Sequence, residues 1–234
     1  MDTLRSIIIG FEGEVGSAIK EILQEAYPDH VSGIDVHGKH TDSFGSLTGS
    51  FDIMHICFGH SKDFIKIVQE YQKRYQPTYT VIHSTVPLGT TEILNHTSYT
   101  VHSPIRGLHP KLKQGILTFP KFIGGPAASH VADYFRKAGM KVVIFDRSAT
   151  TEALKLFDTE YYRHCIEFAQ RVKKYCDKHQ LNFSEVYTIP NITYNEGYTE
   201  LGYPEYVRPV LQPIMKEIGG HCLLPNQKLI KEHE

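Results

Sequence analysis

The chain has 234 residues, of which 41% are hydrophobic and 22% are charged. These fractions are those of a folded globular protein, and they exclude a disordered, collagen-like or coiled-coil chain. Its 25 basic and 26 acidic residues give a net charge of -1 with neutral histidines, so neither nucleic acid nor a membrane is the expected partner.

Short β-branched runs alternate with amphipathic stretches along the first two thirds of the chain. The runs predict seven strands, over residues 6–9, 30–35, 52–58, 79–83, 99–102, 121–124 and 141–145. Between them, apolar residues spaced three or four apart predict helices over residues 15–26, 61–75, 90–95 and 127–138. This alternation is typical of an α/β fold with a doubly wound, mostly parallel sheet.

The pattern changes near residue 148. Residues 150–179 contain neither Gly nor Pro and carry apolar side chains every three or four positions, which predicts one long helix. Ser184 is the expected N-cap of a further short helix, and residues 190–225 are rich in Pro, Gly and Tyr. We therefore expect a dinucleotide-binding domain over residues 1–147 and a helical appendage over 148–234. The length of the apolar stripe predicts a homodimer.

The sequence offers no membrane span, leader or metal site. No apolar run approaches the roughly 20 residues that cross a bilayer, and residues 1–5 lead straight into a predicted strand. A cytoplasmic location is therefore expected. The four cysteines form no CxxC pair and the 14 histidines are dispersed, so we expect free thiols and no metal.

A glycine-punctuated turn joins the first predicted strand to the first helix. Gly10, Gly13 and Gly16 are spaced three apart, and Phe11 stands where the usual G-x-G-x-x-G frame has its first Gly. Such a turn lets the backbone approach a pyrophosphate, and the helix N-terminus beyond it supplies free N–H groups. The candidate cofactor-binding residues of this turn are Gly10, Phe11, Gly13, Glu14, Val15 and Gly16.

Asp35 ends the second predicted strand, about 20 residues after the turn. A carboxylate there accepts hydrogen bonds from both ribose hydroxyls and repels a 2′-phosphate, which favours NAD over NADP. S-adenosylmethionine also binds glycine-rich turns with an acid at the second strand. The glycines and the acid do not distinguish the two ligands.

Three later segments carry a resemblance to a known family. They are D-I-M-H-I-C-F at residues 52–58, H-S-T-V-P-L-G-T-T at 83–91 and G-G-H-C at 219–222. Together they resemble the UDP-glucose/GDP-mannose dehydrogenase family, within the 6-phosphogluconate dehydrogenase-like superfamily. The resemblance to that family's N-terminal Rossmann domain covers residues 6–145. It implies that Ser84 and Thr85 lie near the nicotinamide, where Thr85 helps position cofactor and reacting water.

The same resemblance implies a thiol-based chemistry. Cys222 would be the nucleophile that attacks an aldehyde, giving a thiohemiacetal whose hydride leaves to NAD. E-A-L-K at residues 152–155 matches the family's E-x-x-K, so Lys155 would supply a cation for the oxyanion. His221 beside the thiol is a candidate substrate-binding residue.

Several family positions differ in this sequence. Thr159 stands where the family has Asn, and Ile105 stands where it has a Glu in the loop after strand five. The family's C-terminal nucleotide-sugar domain is not present in these 234 residues. Since the missing Glu would activate water, a single two-electron step is more credible than oxidation to an acid. Arg106 and His109 in that loop are candidates to hold an anionic substrate, with a plain exposed loop as the alternative.

The pattern as a whole favours an NAD-dependent oxidoreductase that acts on an alcohol or aldehyde of a small, sugar-derived substrate. A non-redox nucleotide-binding protein of the same fold would explain the missing Asn and Glu better. An S-adenosylmethionine-dependent methyltransferase is the third alternative. Competition binding of the two cofactors would separate it from the first.

Overall fold

The computed structural model describes residues 4–35, 50–107, 110–214, 226 and 228–230. Seven strands form one sheet in the order β2-β1-β3-β4-β5-β6-β7, and β6 pairs with β5 in the only antiparallel step between neighbouring strands of this described sheet. The strands are β1 (Ser6–Ile9), β2 (Val31–Ile34), β3 (Ile53–Ile56), β4 (Tyr79–Ile82), β5 (Tyr99–His102), β6 (Lys121–Gly124) and β7 (Val142–Phe145). All seven strands were predicted, and the predicted fold class is confirmed.

Alternate residues of the strands fill two apolar layers, one on each face of the sheet. Ile8, Ile53 and Val81 belong to the larger layer, which packs against α1 (Glu14–Ala26) and α5 (Ala128–Lys137). Ile7, Met54 and Ile82 belong to the other, against α2 (Phe64–Tyr75) and α3 (Thr90–Leu94). Because both faces are covered, the strands are apolar on both sides, as parallel sheets require.

One helix of this region was not predicted. It is α4 (Leu112–Thr118), between β5 and β6, where Leu112 and Ile116 are buried one helical turn apart. Its seven residues include Gly115, which lowers helix propensity. A segment this short depends on tertiary packing for its stability.

The chain divides into two compact units, Met1–Lys155 and Leu156–Glu232. The long helix α6 (Ser148–His179) confirms the predicted helix, and its first two turns belong to the first unit. A π-helical segment (Ser184–Thr188) then leads directly into α7 (Ile189–Glu200) and a 3-10 turn (Pro204–Tyr206). No helix in the described part of the chain is long and apolar enough to cross a membrane.

The predicted N-cap at Ser184 is wrong. The Asn182 side chain instead accepts a hydrogen bond from the Ser184 backbone N–H at 2.9 Å, so Ser184 lies inside the first turn. Asn is as good an N-cap as Ser. The tail beyond α7 is fixed by a second amide, since Asn195 donates to the Arg208 carbonyl and accepts from its N–H, both at 2.8 Å.

Candidate functional site

The glycine turn lies where the strand order reverses. β1 has β2 on one side and β3 on the other, and ligands of open α/β sheets bind at the carboxyl ends of the strands at such a point. Gly10 has a φ of +85°, which a residue with a Cβ rarely adopts. A Cβ on Gly16 would lie 2.0 Å from the Gly10 carbonyl oxygen. The helix therefore starts directly against the turn.

Gly13 is the glycine that faces open space. A Cβ there would meet the Gly10 carbonyl oxygen at 3.4 Å, which is ordinary contact. Gly13 is exposed and precedes the first turn of α1 without a side-chain cap. Because the first N–H groups of a helix have no partner inside the helix, this opening suits the pyrophosphate of a dinucleotide.

Phe11 is accommodated by a second glycine. Its ring packs against β2 at Gly33, where an added Cβ would lie 2.5 Å from Phe11 Cγ. The Lys20 ammonium lies 4.4 Å from the centroid of the same ring. Because the Phe11 ring packs against β2, it does not cover the exposed position at Gly13. Phe11 and Gly33 form a matched pair 22 positions apart in the sequence.

Asp35 is positioned against the turn, as predicted for a residue that reads the ribose. Its Oδ2 accepts a hydrogen bond from the Glu12 backbone N–H at 3.2 Å. Glu12 and Glu14 are both exposed beside the opening at Gly13. The turn therefore has the shape of a dinucleotide cradle and carries two exposed acidic residues next to Gly13.

The loop that follows β4, residues 83–89, is fixed at both ends. Ser84 Oγ donates to the Phe58 carbonyl at 2.5 Å, which joins this loop to the one after β3. At the other end, the carboxylate of fully buried Glu152 accepts from the Gly89 N–H at 2.7 Å and from the Thr91 N–H and hydroxyl at 2.8 and 2.6 Å. Thr85 lies between these two anchors and is partly exposed.

The first turn of α6 contacts the same loop through His102. His102 Nε2 lies 3.1 Å from the Ser84 carbonyl oxygen, and Nδ1 lies 2.9 Å from the hydroxyl of buried Thr151. α6 approaches this closely because β6 ends in Gly124, where a Cβ would lie 2.6 Å from Thr151 Oγ1. Lys155 follows Thr151 by one helical turn on the same face.

Sequence reasoning missed a chain of buried polar side chains on the face of the sheet covered by α1 and α5. His55 Nδ1 lies 3.0 Å from His83 Nε2, and Lys121 Nζ lies 3.2 Å from His83 Nδ1 and 3.0 Å from the Ser103 carbonyl oxygen. All three side chains are less than 5% exposed. Among the described residues, His55 Nε2 has no hydrogen-bond partner.

Burial sets the protonation states of His55, His83 and Lys121, and of nearby His102. Burial, together with the nearby Lys121 ammonium, lowers the pKa of His55 and of His102 to about 3. The pKa of His83 is held well below its usual range by the same burial, with Lys121 and His55 adding to the effect. Burial also lowers the pKa of Lys121 to about 7. The histidines are therefore neutral at pH 7.

The remaining predicted residues are Arg106, His109, His221 and Cys222. Arg106 is partly buried, with its guanidinium 5.0 Å from the ring centroid of Phe122 and 5.4 Å from that of Phe119. His109, His221 and Cys222 lie outside the described residues. Within the described part, no group of three His, Cys, Asp or Glu side chains is placed to hold a metal ion.

The glycine turn at the point where strand order reverses, the helix-covered sheet and the long helix define a Rossmann-type α/β protein. No family model matches the sequence, and no curated protein matches it. The resemblance predicted from the motifs is confirmed at the level of the fold by solved structures, as follows.

The chain is similar to UDP-D-ManNAc dehydrogenase from Pyrococcus horikoshii, with 16% identity and a TM-score of 0.78 over 98% of this chain and 64% of that one. It is similar to NDP-N-acetyl-D-galactosaminuronic acid dehydrogenase from Methanosarcina mazei Go1, with 18% identity and a TM-score of 0.68 over 98% of this chain and 60% of the other. A 3-hydroxyisobutyrate dehydrogenase from Mycobacterium tuberculosis matches 80% of this chain and 70% of its own length, with 13% identity and a TM-score of 0.62. The chain thus spans less than two thirds of the two sugar dehydrogenases.

Proposed function

We propose that the chain is an NAD-dependent oxidoreductase that acts on an alcohol or aldehyde of a small, sugar-derived substrate. The observation that carries this proposal is the open glycine turn at Gly13 on the same sheet edge as the doubly anchored loop that holds Thr85. The sugar and hydroxyacid dehydrogenases of similar fold support it.

In this proposal the turn holds the pyrophosphate and Asp35 holds the adenosine ribose. The remaining residues proposed for the cofactor are Gly10, Phe11, Glu14, Val15, Gly16 and Ser84. NAD, when bound, would supply the hydride acceptor. Thr85 would orient the nicotinamide end, and the Lys155 ammonium would stabilise negative charge that develops on the substrate oxygen.

Cys222 is the proposed covalent residue, with His221, Arg106 and His109 on the substrate side. Ile105, which replaces the family's Glu, is 9% exposed and carries no proton acceptor. A thioester formed at Cys222 would therefore lack the base that the family uses to activate its hydrolytic water. Oxidation by one two-electron step is the proposed reaction.

Calorimetric titration with NAD, NADH, NADP and S-adenosylmethionine tests the cofactor. Micromolar binding of NAD or NADH alone supports the proposal. Binding of S-adenosylmethionine alone would refute the oxidoreductase proposal in favour of a methyltransferase. Binding of none of the four ligands would refute both functions and indicate that the glycine turn no longer binds a nucleotide. Gly13→Ala should weaken NAD binding at least about tenfold, because its Cβ enters the space a pyrophosphate needs. Gly59→Ala, where an added Cβ meets nothing within 4 Å, is the matched control.

The proposed domain division is residues 1–147 for the cofactor and 148–234 for dimerisation and the substrate side, in a cytoplasmic protein. The proposed homodimer is supported by four exposed aromatic residues on α6, Phe157, Tyr161, Phe168 and Tyr175. Their spacing places them within about 40° of one another around the helix. An apolar stripe this long favours a partner surface.

Light scattering after size exclusion tests the dimer. At micromolar concentration the mass should be twice that of one chain, and Tyr161→Glu should halve it. Tyr99→Glu is the control, because Tyr99 and Tyr161 are both 61% exposed but Tyr99 lies on β5. A wild-type mass equal to one chain would refute the dimer.

A further inference from the structure

Two neighbouring residues of α6 hold the loop at residues 83–89 by different routes. Glu152 accepts directly from the backbone at the far end of the loop. Thr151 reaches the near end only through His102, whose ring lies between the Thr151 hydroxyl and the Ser84 carbonyl. All three side chains are fully buried. The head of α6 and the loop are therefore joined by a short, dry set of hydrogen bonds.

The hydrogen bonds of His102 fix its tautomer. A carbonyl oxygen only accepts, so Nε2 must carry the proton that is donated to Ser84. In the neutral ring Nδ1 is then an acceptor, and the Thr151 hydroxyl at 2.9 Å is its donor, with its one proton shared with the Ser148 and His102 carbonyl oxygens at 2.9 and 3.3 Å. A charged ring would place a second N–H where the acceptor is needed, and burial with the nearby ammonium groups of Lys121 and Lys155 holds the pKa of His102 at about 3.

We propose that His102 is a positioning residue that sets where Thr85 stands relative to Lys155. The inference rests on the proposed function, in which these two residues meet the nicotinamide end of the cofactor. Ser84, held by His102, immediately precedes Thr85. Thr151, held by the same ring, precedes Lys155 by one turn of a continuous helix. His102 itself touches neither cofactor nor substrate.

Two substitutions break this link in different ways. Thr151→Val removes the hydroxyl with little change of shape, so Nδ1 loses its donor. His102→Leu removes both hydrogen bonds. His102→Gln is the conservative variant, since its amide N–H can reach the Ser84 carbonyl in place of Nε2.

Thr100→Val is the matched control for folding. Thr100 lies on β5 two residues before His102, on the same face of the sheet, and is buried; its hydroxyl donates to the Leu94 carbonyl at 3.0 Å, at the last residue of α3. Its loss costs a similar amount of stability without touching the loop. Thermal unfolding of both Thr variants confirms that they are compared as folded proteins.

Binding of NADH and of ADP-ribose separates the two ends of the cofactor. Both ligands carry the adenosine and the pyrophosphate, but ADP-ribose lacks the nicotinamide. In Thr151→Val and His102→Leu we expect the affinity for NADH to fall about tenfold while that for ADP-ribose stays within about twofold, as for one lost buried hydrogen bond. His102→Gln should recover most of the NADH affinity, and Thr100→Val should change neither ligand.

The outcomes distinguish the two proposals. If the wild type binds neither ligand, the proposed function fails and the positioning role fails with it. If the wild type binds both but the variants keep its ratio of NADH to ADP-ribose affinity, only the positioning role of His102 is overturned. Amide hydrogen exchange of residues 84–91 gives a second readout without ligand: faster exchange in Thr151→Val than in Thr100→Val supports the role, and equal exchange overturns it.

Discussion

Acid should destabilise the first unit strongly, because three histidines are buried in neutral form. His55, His83 and His102 all have a pKa below that of a histidine in the unfolded chain, about 6.5. Below that pH the unfolded chain binds protons that the folded chain does not. The free energy of unfolding therefore falls as the pH drops through 6.5 and keeps falling toward the folded-state pKa values.

The size of the effect follows from the number of histidines. Below the unfolded-chain pKa of about 6.5, each neutral buried histidine lowers the free energy of unfolding by about 1.36 kcal/mol per pH unit. From pH 7.5 to pH 5 each histidine therefore lowers it by about 2 kcal/mol. Three histidines remove about 6 kcal/mol, which is comparable with the 5–15 kcal/mol that stabilises a typical domain. We expect the first unit to be close to unfolding near pH 5.

Guanidinium unfolding followed by far-ultraviolet circular dichroism at pH 7.5, 6.5, 5.5 and 5.0 measures this slope. His55→Leu should reduce the loss by about one third, because one of three buried proton sites is gone. His96→Gln, at an exposed histidine outside the buried set, is the matched control substitution. A loss below about 2 kcal/mol in the wild type, or the same slope in His55→Leu, would refute the reasoning.

Three further predictions concern single residues. Because the pKa of Lys121 is about 7 in the folded protein, the free energy of unfolding of the wild type should rise by about 1.4 kcal/mol per pH unit from pH 7 to about 10. Lys121→Met should remove this rise, and urea unfolding across that pH range measures it. Glu152→Gln should cost about 2 kcal/mol or more in urea unfolding, since three donors converge on the carboxylate. Gly197→Ala, inside α7 with open space among the described residues around its added Cβ, should raise the free energy of unfolding by about 0.5–1 kcal/mol in urea unfolding, and a decrease would contradict the open space seen there.

The sheet could be predicted because its signal is local. Each strand is a short β-branched run with a turn or helix on either side, and the glycine turn follows β1 without an interruption. A short helix was expected to begin at Ser184, but its continuation through α7 was not predicted, because the local signal there is absent. Its sequence contains Pro190 and Gly197 and has no buried residue, so neither composition nor periodicity indicates a helix there.

The interior of the site could not be predicted, because its parts come from distant points of the chain. Phe11 looks like a defect in the glycine turn until Gly33 is placed beside it. His55 and Lys121 do carry a signal, since each alternates with an isoleucine that faces the larger apolar layer. Alternation shows that a side chain faces inward but not which partner it meets there.

The anchors around Thr85 and the position of Ile105 lead to one conclusion about the chemistry. Glu152 is a buried carboxylate whose cost is offset only by the donors of this loop, so the loop and the head of α6 are rigidly joined. Such rigidity suits hydride transfer, which requires two carbons at a fixed short distance. Hydrolysis needs a base beside an accessible water, and Ile105 is buried and apolar at the position where the family has its Glu. For the proposed oxidoreductase, these two features favour a reaction that ends after one hydride transfer.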